Sequence, residues 1–90
     1  MSGIGTRIQV GQGVVSRPGA GTRFAGRNAV PAREGEPAKV RISAWDDESS
    51  EEFNIYLREG ETFQIAGQTW RLDKIYEDPR RWCADLTRIA

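Results

Sequence analysis

From Lys39 to Ile89 the chain alternates apolar and polar residues with a period of two, the pattern of strands that bury one face. Val40, Ile42 and Ala44 alternate with Arg41, Ser43 and Trp45; beyond a polar stretch, Phe53, Ile55 and Leu57 alternate with Asn54, Tyr56 and Arg58. Two such runs around a polar turn predict an antiparallel hairpin. Glu59-Gly60 turns the chain again. Phe63 and Ile65 lead into Ala66-Gly67-Gln68, and Trp70 and Leu72 return in matching phase. This is a second hairpin, with Gly67 supplying the positive φ of a tight turn. Ile75 lies three residues beyond Leu72, so a bulge is expected near Asp73-Lys74. Asp78-Pro79 then turns the chain into a last strand, Trp82 to Ile89.

The N-terminal part has a different texture, with eight of the ten glycines in residues 1–35. Thr6 to Val10 alternates, and Val14-Val15 resumes the pattern, as one strand or two short ones broken by a glycine bulge. Ser16 to Pro37 carries the glycines and prolines of a loop, with Arg23-Phe24-Ala25 tacking it down. A structureless loop of that length is unusual, so it either hides a short strand or forms a mobile, functional part. No segment has a helical period. The expectation is one all-β domain over residues 1–90, a small β-barrel or two-sheet β-sandwich of about six or seven mostly antiparallel strands. It divides into a Gly/Arg-rich N-terminal segment (about 1–37) and a β-hairpin body (about 38–90).

Composition narrows the setting. The hydrophobic fraction of 38% and charged fraction of 29% are those of a globular chain. No apolar run reaches the roughly 20 residues that span a bilayer, and the N-terminus lacks a signal peptide's apolar stretch. The single cysteine, Cys83, excludes an internal disulfide and fits a reducing cytoplasm, so the expected location is cytoplasmic, with no membrane partner. Formal charge is zero but uneven. Residues 1–35 hold five arginines against Glu34; residues 36–90 hold eight basic and twelve acidic groups. Arm and body then attract each other on folding, or the arm serves an acidic partner.

Candidate chemistry is sparse. Without histidine there is no imidazole base or ligand, and one cysteine does not make a zinc site. Cys83, beside Trp82, reads as a packed structural thiol. Gly11-Gln12-Gly13 and Gly19-Ala20-Gly21 lack the third glycine of a dinucleotide fingerprint. Five acids in residues 46–52 lack the spacing of a calcium loop and read as a solvated hairpin turn. No catalytic residue, metal or cofactor is therefore expected, and the residue set points away from catalysis.

The aromatic positions are more informative. If Val40, Ile42, Ala44, Phe53, Ile55 and Leu57 face the core, then Trp45, Tyr56, Arg41 and Arg58 share the opposite face. Rings flanked by guanidinium groups suit recognition of a base, a ring or a partner's side chain. The competing reading packs this face beneath the N-terminal segment as a second core layer. Trp70 and Trp82 read as central core residues.

The run Gly60-Glu61-Thr62-Phe63-Gln64-Ile65-Ala66-Gly67-Gln68-Thr69-Trp70-Arg71-Leu72-Asp73-Lys74-Ile75, with the preceding strand pair and Leu86-Thr87-Arg88-Ile89, resembles a group of small actinobacterial proteins of about ninety residues. That group is classed as a domain of unknown function. The resemblance covers roughly residues 38–90 and implies a fold, a bacterial origin and a cytoplasmic setting, but no activity. It leaves the basic arm as this chain's own feature. The leading functional expectation is a non-catalytic protein-interaction or accessory module that binds another protein or itself through Arg41, Trp45, Tyr56 and Arg58 or an exposed strand edge. The alternatives are a small-molecule-binding or cyclase-like barrel and a nucleic-acid-binding module. The last is disfavoured by the twelve acids of the body.

Overall fold

The alternating runs build two four-stranded antiparallel sheets, described in a computed structural model for residues 4–18, 21–48, 51–77 and 81–90. The strands are β1 (Arg7–Gly11), β2 (Val15–Ser16), β3 (Thr22–Val30), β4 (Lys39–Asp46), β5 (Glu52–Arg58), β6 (Thr62–Ile65), β7 (Gln68–Tyr76) and β8 (Cys83–Arg88). One sheet runs β1-β8-β7-β6 and the other β2-β3-β4-β5. No helix occurs among the described residues. The architecture is a sandwich rather than a closed barrel. Its eight strands exceed the expected six or seven because the glycine-rich stretch after Ser16 contains the nine-residue β3.

Both hairpins form as the pattern predicts. Val40, Ile42 and Ala44 face inward opposite Leu57, Ile55 and Phe53. In the β6–β7 turn Ala66 and Gly67 both have positive φ, 52° and 73°, the geometry of a two-residue hairpin turn. The register of β7 against β8 slips between Leu72 and Lys74, so Asp73 is the bulged residue and Ile75 returns to the core. The Asp78-Pro79 turn lies outside the described residues.

The core lies between the sheets. Phe24 of β3 meets Phe63 edge-on at 5.8 Å and Trp70 at 5.1 Å between ring centroids, geometries that aromatic quadrupoles favour. Val10, Ile42, Leu72, Ala84 and Leu86 are fully buried around them. Trp70 donates its indole N–H to Gln68 Oε1 at 3.0 Å, which satisfies a buried polar group. Trp82 is buried too, although its Nε1, like Thr22 Oγ1, has no hydrogen-bond partner among the described residues. Both tryptophans are core residues, as expected. Cys83 is not: β8 turns Ala84 and Leu86 inward, so Cys83 lies half-buried on the outer side, opposite Gly11 and Tyr76. Its phase is opposite to that of Trp82.

The two sheets touch most closely at one edge. Gly26 of β3 faces Gly11 of β1, and a Cβ on Gly26 would stand 2.4 Å from the Gly11 carbonyl oxygen and 2.8 Å from the Trp82 ring. Only hydrogen fits there. A parallel bridge between Gln12 and Gly26 joins the sheets at this point. At the opposite side β5 and β6 are terminal strands and stay unpaired to one another. The N-terminal segment thus feeds both layers, β1 into one and β2 and β3 into the other.

Candidate functional site

The outer face of β3, β4 and β5 carries the candidate residues. Cross-strand register sets four rows on β4 and β5: Lys39 opposite Arg58, Arg41 opposite Tyr56, Ser43 opposite Asn54, and Trp45 opposite Glu52. Arg41, Trp45, Tyr56 and Arg58 therefore share one face, as the alternation requires. They do not form an aromatic pair, however. Trp45 and Tyr56 are two rows apart, about 13 Å along the strands, and each ring has its own cations.

β3 supplies the cations at Trp45. Arg23 lies directly opposite it, Arg27 is in phase with Arg23 on the same outer face, and a bulge between Gly26 and Asn28 sets Asn28 outward beside it. The guanidinium carbons of Arg23 and Arg27 stand 5.1 and 5.4 Å from the Trp45 ring centroid, so the half-buried indole is held between two cations. Lys39 Nζ stands 5.3 Å from the Tyr56 ring, which is 54% exposed. That exposure rules out a second core layer here. The N-terminal segment extends the sheet beside this face instead of covering it.

A polar chain fixes the middle of the face. Arg27 Nε donates to Ser43 Oγ at 2.7 Å and its Nη2 to Glu52 Oε1 at 3.1 Å. Ser43 Oγ donates to Asn54 Oδ1 at 2.7 Å, and Arg41 Nη2 donates to the same oxygen at 3.3 Å. Arg23 Nε lies 3.2 Å from Asp47 Oδ1, an ion pair without hydrogen-bond geometry. The arginines of the arm thus meet carboxylates of the body, the folding attraction implied by the uneven charge. Lys39, Arg41 and Arg58 differ: among the described residues none of their side chains has a carboxylate within ion-pair distance. Lys39 and Arg58 are, moreover, like charges directly opposite, an arrangement that destabilises a sheet.

The outer face of the other sheet engages both of its aspartates, while Arg7 and Lys74 have no carboxylate within ion-pair distance among the described residues; Lys74 stands opposite Asp85, its Nζ 5.1 Å from the Tyr76 ring. Asp73 accepts from Arg71 Nε at 2.6 Å and from the Thr87 hydroxyl. Partial burial pushes its carboxyl upward, but the Thr87 and Arg71 hydrogen bonds and the charges of Arg71 and Arg7 outweigh it and hold it below its ordinary range. Asp85 accepts from Tyr76 Oη at 3.0 Å and from Gln9 Nε2 at 3.3 Å. The hydrogen bond to Asp85, with the charge of that carboxylate, raises the Tyr76 phenol above its ordinary range.

The sandwich interior is filled by Phe24, Trp70, Leu72 and Leu86, and the larger described hollows are open surface clefts. One of about 350 Å³ runs along the open side between Phe53 and Ile65, and one of about 540 Å³ lies between Pro37, Arg58, Glu59 and Ile75. Among the described residues no three of Cys, Asp or Glu gather as metal ligands.

Arg23, Arg27 and Lys39 stand on the same face beyond the residues the alternation singles out. Lys39 is legible, since it is in phase with Arg41. Arg23 and Arg27 are not, because they fall in the glycine-rich stretch whose hidden strand the sequence leaves open. No protein of curated function and no solved structure matches the chain significantly. One family model does match, and it begins well before the second hairpin, so the arginine-bearing N-terminal strands are not an appendage peculiar to this protein. The chain belongs to the family of unknown function DUF6406, whose model covers residues 5–90.

Proposed function

We propose that this domain is a non-catalytic protein-interaction module that uses the outer face of β3, β4 and β5 to take an acidic segment of a partner protein. The observation that carries the reading is the trio Lys39, Arg41 and Arg58, unpaired by any described carboxylate and set beside the exposed Tyr56 ring. The repulsion between Lys39 and Arg58 is relieved when a partner's carboxylate enters between them. Arg27, Ser43 and Asn54 are already hydrogen-bonded, so the surface needs little ordering on binding. A peptide fits better than a nucleic acid. A short acidic segment seated at the Lys39–Arg58 end stays clear of Asp47, Glu48 and Glu51 at the other end of the strands, whereas a phosphate backbone running the length of the face meets them. A ligand-enclosing barrel has little support, given the filled interior. The free thiol of Cys83 fits work in a reducing cytoplasm.

Fluorescence anisotropy with labelled Asp/Glu-rich peptides, with and without an aromatic residue, tests the proposal. Acidic peptides should bind, Arg41→Ala should weaken them about tenfold, and added salt should weaken them further. If basic and acidic peptides behave alike, or Arg41→Ala changes nothing, the reading fails.

A further inference from the structure

β5 ends its sheet, and no described strand pairs with its outer edge. It is seven residues long, without proline or bulge, and its central residues Phe53 to Leu57 carry no charge, so its middle lacks the usual protections of an edge strand. The direction of its free backbone groups can be worked out. Arg58 N–H turns away from β4 and donates to the Glu61 side chain at 2.7 Å, and the Arg58 carbonyl accepts from Glu61 N–H at 3.1 Å. By the two-residue alternation, the N–H and C=O groups of Tyr56, Asn54 and Glu52 point outward too, and none of these has a described partner.

We infer that this edge pairs with β5 of a second copy of the chain, antiparallel about a twofold axis at Ile55. In that register Asn54 faces the second copy's Tyr56, and the two exchange both backbone hydrogen bonds; symmetry makes four such bonds. Ile55 meets its own counterpart. Phe53, 45% exposed in the single chain, meets the second copy's Leu57 on the inner face. Glu52 meets the second copy's Arg58 at each end of the ribbon through side chains alone, because Glu61 already holds the outward backbone groups of Arg58. Glu52 holds Arg27 through Oε1, which leaves Oε2 for the incoming guanidinium. The charge order of β5, acidic at its start and basic at its end with neutral residues between, is self-complementary in this antiparallel register and repulsive in a parallel one. The two sheets join into one of eight strands. The contact is of the small class, so assembly depends on concentration. The pairing does not rest on the acidic-peptide reading.

Sedimentation equilibrium of the full chain, from about 10 to about 1,000 μM, should show a monomer–dimer equilibrium that weakens with salt. Glu52→Arg and Arg58→Glu should each weaken it at least tenfold, because like charges then meet at both ends. An equimolar mixture of the two variants should reassociate as a heterodimer, since it restores opposite charges at both ends. In the unaltered chain, amide exchange at Asn54 and Tyr56 should slow as concentration rises. A monomer throughout the range overturns the inference. So does a dimer indifferent to either variant, a mixture that stays apart, or exchange at those two amides independent of concentration.

Discussion

On the outer face of the β1-β8-β7-β6 sheet, Asp73 and Asp85 both have donors from neighbouring strands, and Lys74 stands opposite an acid, Asp85. On the outer face of β2-β3-β4-β5, the chain from Arg41 to Glu52 is hydrogen-bonded as well, yet Lys39 and Arg58 stand opposite one another without an acid. Both faces use the same device. A bulge sets two successive residues outward, Asp73 and Lys74 in β7 and Arg27 and Asn28 in β3. Asp73 completes its own neighbourhood, whereas Arg27 completes one half of its face and leaves the other half cationic. The two faces differ less in hydrogen bonding than in charge order, with Lys74 opposite Asp85 on one and Lys39 opposite Arg58 on the other.

The strongest way to break the comparison is to part the sheets that carry it. Gly26→Ala drives a methyl into the Gly11 carbonyl, which is backbone and cannot swing aside. It should cost about 3 kcal/mol, read from urea unfolding, and damage both faces together. A loss below about 1 kcal/mol would show that the close approach tolerates a side chain.

Asp73→Asn sharpens the comparison on its own face alone. Losing the charge-assisted hydrogen bonds should cost about 1.5 kcal/mol while acidic-peptide binding stays unchanged. The pH dependence has a fixed sign. The folded carboxyl lies below its ordinary value of 3.8, so its contribution is complete above that value and fades as pH falls through the folded pKa. The stability gap between Asp73→Asn and the parent should accordingly narrow below about pH 4; a gap that widens on acidification contradicts the network.

The smallest effect tests the Lys39–Arg58 face. Lys39→Glu replaces a like-charge pair with an opposite one and should stabilise the domain by about 0.5 kcal/mol, while weakening acidic peptides. Stability and binding then move in opposite directions. If both fall, Lys39 is a structural residue rather than a recognition residue.

How far the sequence could be read depended on what stood on each side of a phase change. The slip from Leu72 to Ile75 is legible because two large apolar residues bracket it. The equivalent slip in β3, from Gly26 to Ala29, is bracketed by a glycine and an alanine, which mark neither face. The sequence therefore leaves open whether this stretch hides a strand, and the outward placing of Arg23 and Arg27 is not legible in it. The shared face of Arg41, Trp45, Tyr56 and Arg58 followed from alternation, but the spacing between its rings did not, because pairing row by row depends on where the turn sets the register. Cys83 reads as packed because its strand is apolar, but its phase belongs with Asp85 rather than with Ala84, and it lies only half-buried.

The meeting of Gly11 with Gly26 makes one margin of the sandwich behave as the spine of a book. Backbone lies against backbone there, and no side chain can rearrange to let the layers separate. The margin formed by β5 and β6 has no bridging strand. Thermal breathing must then be lopsided, with the pages parting first beside Phe53 and Ile65 and last beside Trp82.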